Sequence, residues 1–181
     1  MASRAQEATR DAILATAAEA FASPDAVSMT ELARRAGVAR GTLYRYFPTR
    51  RALLNSLKRG AGDEASRRLA EAKLDQVALD EGLARAVRAL VALDKRYLFL
   101  LSEPQPSLRE EPGVVAPIVG LLERGREQGE LRADVPAACL LESLLALIGA
   151  CIRSGRAVGM GSEDVSSTAL RLFLGGARQL R

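Results

Sequence analysis

The sequence predicts an all-α fold, with a small N-terminal three-helix unit joined to a larger helical body. Three observations carry this expectation. Alanine, leucine, arginine and glutamate dominate the chain and favour helix, whereas the alternating patterns of strands are scarce. Apolar residues recur at three- and four-residue intervals along successive segments. Proline, glycine and capping residues punctuate those segments at helical lengths. With 181 residues the chain fits one ordinary domain or two small helical ones, and it can bury a real core.

The first helix is expected from Gln6 to Ala22, with Ile13, Ala17, Ala20 and Phe21 at helical spacing, and Ser23-Pro24-Asp25 ending it. Ser28-Met29-Thr30-Glu31 reads as a capping box. Ser28 is the N-cap and Glu31 can reach back to its backbone N–H. The helix so started carries Leu32, Ala33 and Ala36 and stops at Gly37, with Val38 plugging the turn. A short helix from about Arg40 to Tyr46 points Leu43 and Phe47 inward. Pro48 breaks the chain and Thr49 caps a long helix from Arg50 to about Lys73. Leu53, Leu54 and Leu57 share a face of that helix, and Gly60 and Gly62 suggest a bend or break in it. Further helices are expected near 79–93, 95–102, 114–128, 136–157 and 163–179, with Pro104 and Pro106 in one gap. Pro136 is expected at a first helical position; Gly155, Gly159 and Gly161 at the last turn; and Ser162 with Glu163-Asp164 at the last helix start. The division falls inside the fourth helix, near 48–60, giving units 1–50 and 51–181.

Charge and composition narrow the function. Hydrophobic residues make up 48% and charged residues 27%, which suits a soluble globular chain. Residues 1–60 carry ten Lys/Arg against five Asp/Glu, while the remainder carries sixteen against seventeen. The positive field therefore sits on the first third, where it suits a phosphate backbone or an ordinary solvated surface. There is no histidine, which removes Ser-His and Cys-His catalysis and His-containing metal sites. No nucleophile–base pair, metal cluster or Gly-rich phosphate loop is present, so no catalytic residue, metal or cofactor is expected. Cys139 and Cys151 would lie roughly 18 Å apart on one helix, too far for a disulfide, and read as buried free thiols. The N-terminus is polar with no apolar leader, and the run Ala137–Ile152 falls short of the ~20 residues of a membrane span. A cytoplasmic protein with no membrane partner is expected.

Ser28 to Phe47 has the layout of a helix-turn-helix. Arg40, Thr42, Tyr44, Arg45 and Tyr46 crowd its second helix, and Arg50-Arg51 open the next. Large polar groups at this density suit a helix placed in a DNA groove better than one in a core. The stretch from Ala12 to Leu57 resembles the DNA-binding region of the TetR family of transcriptional regulators. The match lies at Leu32, Ala33, Ala36, Gly37, Val38, Gly41, Thr42, Leu43, Tyr44, Tyr46, Phe47 and Leu53. Three positions depart from the pattern: Ala39 where a capping Ser is usual, Arg50 for Lys, and Arg51 for an acid. The resemblance implies a homodimer that binds double-stranded, palindromic operator DNA, acts as a repressor, and is released by a small-molecule effector. It makes Ser28, Tyr44, Tyr46 and Arg50 phosphate contacts, places Thr30, Arg40, Gly41 and Arg45 at base edges, and lets Thr42 touch either backbone or a thymine methyl. For any single Arg, a phosphate contact or plain solvation is the alternative. Arg51, a cation at a helix N-terminus, reads as an extra backbone contact, with a solvated Arg as its alternative.

The body resembles the family's ligand and dimerisation domain in architecture. A pocket would be lined by Leu90, Tyr97, Leu98, Leu101, Leu121 and Leu122, with Glu103 as a polar anchor; the same spacing describes plain core. A dimer interface is expected from Leu141, Leu144, Leu145 and Ile148 on one helix and Ala169, Leu172, Phe173 and Gly176 on the last, with internal core again the alternative. An enzyme finds no support in the residues. A ligand-buffering module without DNA binding is disfavoured by the basic first third and Tyr44-Arg45-Tyr46.

Overall fold

The computed structural model describes residues 4–21, 27–93 and 111–179. They form eight α-helices: α1 (Arg4–Phe21), α2 (Met29–Arg35), α3 (Arg40–Tyr46), α4 (Arg50–Ala72), α5 (Leu79–Val91), α6 (Pro112–Glu127), α7 (Ala137–Val158) and α8 (Ser162–Ala177), with a 3-10 turn at Leu74–Gln76. The all-α expectation holds. The helix expected near 95–102 lies outside the described residues.

Two apolar cores meet along α4. The first gathers Ile13, Ala17, Leu32, Leu43, Phe47, Leu53, Leu57 and Ala61, and so joins α1–α3 to the first half of α4. The second starts at Ala65 and Leu69 in the same helix and continues through Leu83, Leu90, Ile118, Leu122, Leu144, Ile148 and Phe173. The helix is unbroken through Gly60 and Gly62, against the expected bend. Gly62 is buried, and a Cβ there would meet the Glu111 side chain at 3.0 Å, so this glycine admits a neighbour. The helix ends on Lys73, held left-handed at φ 48°, and its last carbonyl and one in the 3-10 turn that follows find cationic partners. Arg85 donates to Ala72 O at 3.2 Å, and Arg124 to Leu74 O at 2.6 Å. Donors of positive charge suit the negative end of a helix.

The body packs α4 against α5 and α6, and α8 against α5 and α7. The end of α8 is tied down by an Arg178–Asp80 ion pair at 2.6 Å and by an antiparallel bridge between Leu131 and Arg178. Several local expectations need correction. Pro136 is the N-cap of α7 rather than its first residue, and Gly155 lies inside that helix. A Cβ on Gly155 would come within 2.7 Å of Val165, so the glycine permits close packing of α7 on α8. The left-handed cap is Gly159, at φ 73°. Cys151 is buried as expected, whereas Cys139 is exposed. At 22 residues α7 is long and apolar enough to cross a membrane by length and composition, which corrects the reading of that run as too short. Half of its apolar window is buried inside the protein.

The seam between α4 and α6 generates a prediction. Ser66 Oγ is buried without a hydrogen-bond partner among the described residues. A Cβ on Gly113 would approach Ser66 Cβ to 2.6 Å. Ser66→Ala removes an unpaired hydroxyl and is expected to be neutral or stabilising by up to about 1 kcal/mol. Gly113→Ala overpacks the same seam and is expected to cost about 1–3 kcal/mol. Denaturant unfolding of the two variants measures both.

Candidate nucleic-acid interface

Ser28 caps α2 as expected, its Oγ accepting from the Glu31 N–H at 3.2 Å. The reciprocal half of the capping box is not made. The Glu31 carboxylate instead accepts from Arg34 (Nε at 2.8 Å, Nη2 at 2.7 Å) and from Arg35 Nε at 2.9 Å. Hydrogen bonds from Arg34 and then Arg35 hold its carboxyl down at about 2, from an ordinary 4.5. The turn after α2 needs a left-handed residue, and Gly37 supplies it at φ 66°. The Val38 N–H then donates to Ala33 O at 3.0 Å, and the chain enters α3.

Two residues fix α3 from beneath. Leu43 is fully buried and Phe47, just past the helix, is nearly so. With that side anchored, Arg40, Gly41 and Arg45 are exposed on the outer side, and Thr42, Tyr44 and Tyr46 are half-buried along its edges. The Arg40 guanidinium lies 5.4 Å from the Tyr44 ring centroid and that of Arg45 lies 5.6 Å from Tyr46. These cation–π contacts hold the cations without neutralising them. A Cβ on Gly41 would meet nothing within 4 Å, so the protein itself does not require glycine there. Ser28 and Thr30 are exposed at the start of α2, and Arg50 and Arg51 at the start of α4. The fold thus brings all ten expected positions onto α2, α3 and the start of α4.

Side-chain contacts that sequence reasoning missed brace this surface. Arg10 donates to Ser56 Oγ at 2.7 Å, crossing from α1 to α4, and its guanidinium lies 5.9 Å from the Phe47 ring. Phe21, read only as an apolar position, lies under the Arg50 guanidinium at 4.1 Å. Arg50 Nη1 also donates to Val27 O at 2.6 Å. No local pattern announces these contacts, because each joins residues more than twenty positions apart.

The other expected sites fall differently. Leu90, Leu121 and Leu122 are buried in the body's core, while Tyr97, Leu98, Leu101 and Glu103 lie outside the described residues. Of the expected interface residues, Leu141, Leu144, Leu145, Ile148, Ala169 and Phe173 are buried within the chain's own core. Leu172, 55% exposed, and Gly176 face outward. They border a surface groove with Leu147 and Arg132. Among the described residues, no group of three or more His, Cys, Asp or Glu is placed to hold a metal ion.

Two measurements check this geometry. Ala39 has the extended backbone of an N-cap (φ −63°, ψ 146°) but no side-chain acceptor. Ala39→Ser is expected to add that acceptor and stabilise the protein by about 1 kcal/mol, read by denaturant unfolding. Glu31 has its folded pKa below the unfolded value, so its contribution is present above about pH 4.5 and lost as pH falls through about 2. Carboxyl NMR is expected to place its midpoint near the lower value.

The comparisons with known proteins bear on the same region. The family model "Bacterial regulatory proteins, tetR family" matches residues 13–57, which run from the first core residue of α1 to Leu57 of α4. The repressor LfrR of Mycolicibacterium smegmatis is 33% identical over 114 residues, an alignment spanning 63% of this chain and 59% of LfrR. The regulator NfxB of Pseudomonas aeruginosa is 26% identical over 157 residues, or 83% of this chain and 84% of NfxB. A crystal structure of LfrR from Mycobacterium smegmatis with proflavine superposes with a TM-score of 0.69 at 26% identity, covering 96% of this chain and 99% of that one. PfmR from Thermus thermophilus, at 24% identity, shares the fold with a TM-score of 0.72 over 92% of this chain and 99% of its own. The match thus lies in the helix-turn-helix at the sequence level, where residues 13–57 fit the TetR family model, and extends over the whole architecture at the level of fold, which is that of TetR-like transcriptional regulators.

Proposed function

We propose that this chain is a repressor that binds palindromic operator DNA as a homodimer and is released by a small molecule. One observation carries the reading: α3 is anchored by Leu43 and Phe47 and turns Arg40, Gly41 and Arg45 outward, with no carboxylate partner for either arginine among the described residues. A short helix with unneutralised planar cations on its free side fits the major groove, where arginine pairs bidentately with guanine O6 and N7. The bare Gly41 allows a base edge or sugar to approach the helix backbone. Thr30 and Thr42 flank that face, and Ser28, Tyr44, Tyr46 and Arg51 stand at its margins, where phosphates run.

The dimer reading rests on the outer faces of α7 and α8. Their inner residues serve the chain's own core, which leaves Leu172, Leu147 and the exposed Gly175-Gly176 pair for a second copy. Added Cβ atoms at these glycines meet nothing within 4 Å, so two helices can approach closely there. Operator release follows if an effector binds one orientation of the paired N-terminal units better than another. That LfrR is known in complex with proflavine supports a ligand-binding body here. We place the working division of the chain at 1–50 and 51–181, with α4 shared between the units.

Binding-site selection from random duplexes tests the proposal. The expected product is an inverted repeat with half-sites about one helical turn apart, ~34–36 Å. Recovery of no enriched sequence would refute it. On the selected site, Arg45→Ala is expected to relax preference at one base pair in each half-site by about 1–3 kcal/mol, while the other positions keep theirs. Competition with singly substituted duplexes reads this out.

A further inference from the structure

The two arginines that open α4 are adjacent in sequence but differ in what they touch. Arg50 Nη1 donates to the carbonyl of Val27, the residue before the α2 cap, at 2.6 Å. Its guanidinium lies 4.1 Å from the centroid of Phe21, the last residue of α1. That is stacking distance, well inside the 5.4 Å of Arg40 over Tyr44 and the 5.6 Å of Arg45 over Tyr46. One side chain therefore joins the end of α1, the entry to α2 and, through its own backbone, the start of α4. A planar guanidinium can stack on a ring and donate in its own plane together, which a lysine ammonium at the same position cannot do. Arg51 is exposed and has no hydrogen bond, ion pair or ring contact among the described residues.

We propose that Arg50 is a positioning residue, which brackets α1, α2 and α4 so that the α2 N-terminus presents Ser28 and Thr30 correctly, and that the phosphate contact at the start of α4 belongs to Arg51. This rests on the DNA-binding reading of α3. It reverses the weight that the sequence placed on the two residues, because charge and register alone cannot separate neighbours of the same type.

The salt dependence of binding to the selected operator distinguishes the roles. Each phosphate contact contributes about 0.9 to the slope of log affinity against log salt concentration. Arg51→Ala is expected to lower that slope by about one. Arg50→Lys, which keeps the charge, is expected to weaken binding about tenfold with the slope unchanged, because it breaks a stacked and hydrogen-bonded bracket. Phe21→Leu keeps both cations and most of the apolar volume, and is expected to weaken binding by a similar factor at the same slope. The double variant Arg50→Lys/Phe21→Leu is expected to be no worse than either alone, since the bracket is already lost. Wild-type affinity for Arg50→Lys together with a silent Phe21→Leu would overturn the proposal, as would an unchanged slope for Arg51→Ala. Hydrogen exchange gives a second reading that needs no DNA. The Glu31 and Leu32 amides of α2, which donate to Ser28 Oγ and Ser28 O, are expected to exchange faster in Arg50→Lys and Phe21→Leu but not in Arg51→Ala, and equal protection in all of them would also overturn it. Should wild-type protein select no duplex at all, the DNA-binding reading fails by itself, and exchange at α2 still decides the bracket.

Discussion

The whole structure depends on α4 being one uninterrupted helix that belongs to two cores. Leu53, Leu57 and Ala61 close the N-terminal core, and Ala65 and Leu69, one turn further on, enter the second. Packed interiors respond to displacement by switching between arrangements rather than by smooth deformation, because their side chains interdigitate at crystal-like density. A helix embedded in two such interiors therefore cannot rotate or slide in one without repacking the other. The small residues on its body side, Gly62 and Ser66, lie against Glu111 and Gly113 at the start of α6, which brings the two helices close. On the ligand-release reading, this is where a change in the body reaches α1–α3.

The N-terminal unit shows how little local stability a groove-sized helix needs when its supports are tertiary. At seven residues α3 is too short to persist alone, and it has no side-chain cap. Leu43 and Phe47 fasten it from below, Val38 closes the turn before it, and Thr49 starts α4 directly after it by accepting from the Ala52 N–H at 3.0 Å. Arg10 and Arg50 then cross-link α1 to α4 and to the α2 entry through side chains. The outer side of α3 is left without any structural task, which is the condition for spending every residue there on a partner.

How much of this was legible in the sequence divides by the range of the interaction. The Ser28 cap, the Gly37 turn, the inward Leu43 and Phe47 and the Thr49 cap all follow from neighbours within four residues, and the structure has them where they were expected. Gly60 and Gly62 were misjudged for the same reason: helix propensity is local, and the close approach of Glu111 that Gly62 permits is not. The Arg50–Phe21–Val27 contact spans more than twenty residues and leaves no periodic trace. Helix α7 illustrates a different limit. It is apolar on more than one side, so spacing shows that Leu141, Leu144, Leu145 and Ile148 pack but not against whom; only the folded chain shows them turned into its own core.

Charge placement completes the argument for a functional face, because a count of basic residues does not by itself create a field. In the body, many arginines meet carboxylates: Arg67 and Arg68 with Glu64, Arg85 with Glu81, Arg88 with Glu163, Arg132 with Asp134 and Arg178 with Asp80, while Arg153, Arg156 and Arg171 are exposed with neither a carboxylate nor an aromatic ring beside them among the described residues. In the N-terminal unit, the single Glu31 carboxylate is shared by Arg34 and Arg35 on α2 and offsets one of their two charges. Arg40 and Arg45 rest on tyrosine rings instead, and Arg51 rests on nothing among the described residues. An aromatic ring orders a guanidinium while leaving its net charge and its in-plane donors available. The excess of five positive charges over residues 1–60 is therefore not diluted across a solvated surface. It includes a small set of oriented, unpaired cations beside an open glycine on the free side of a braced helix, and a polyanion is the partner that completes such a set.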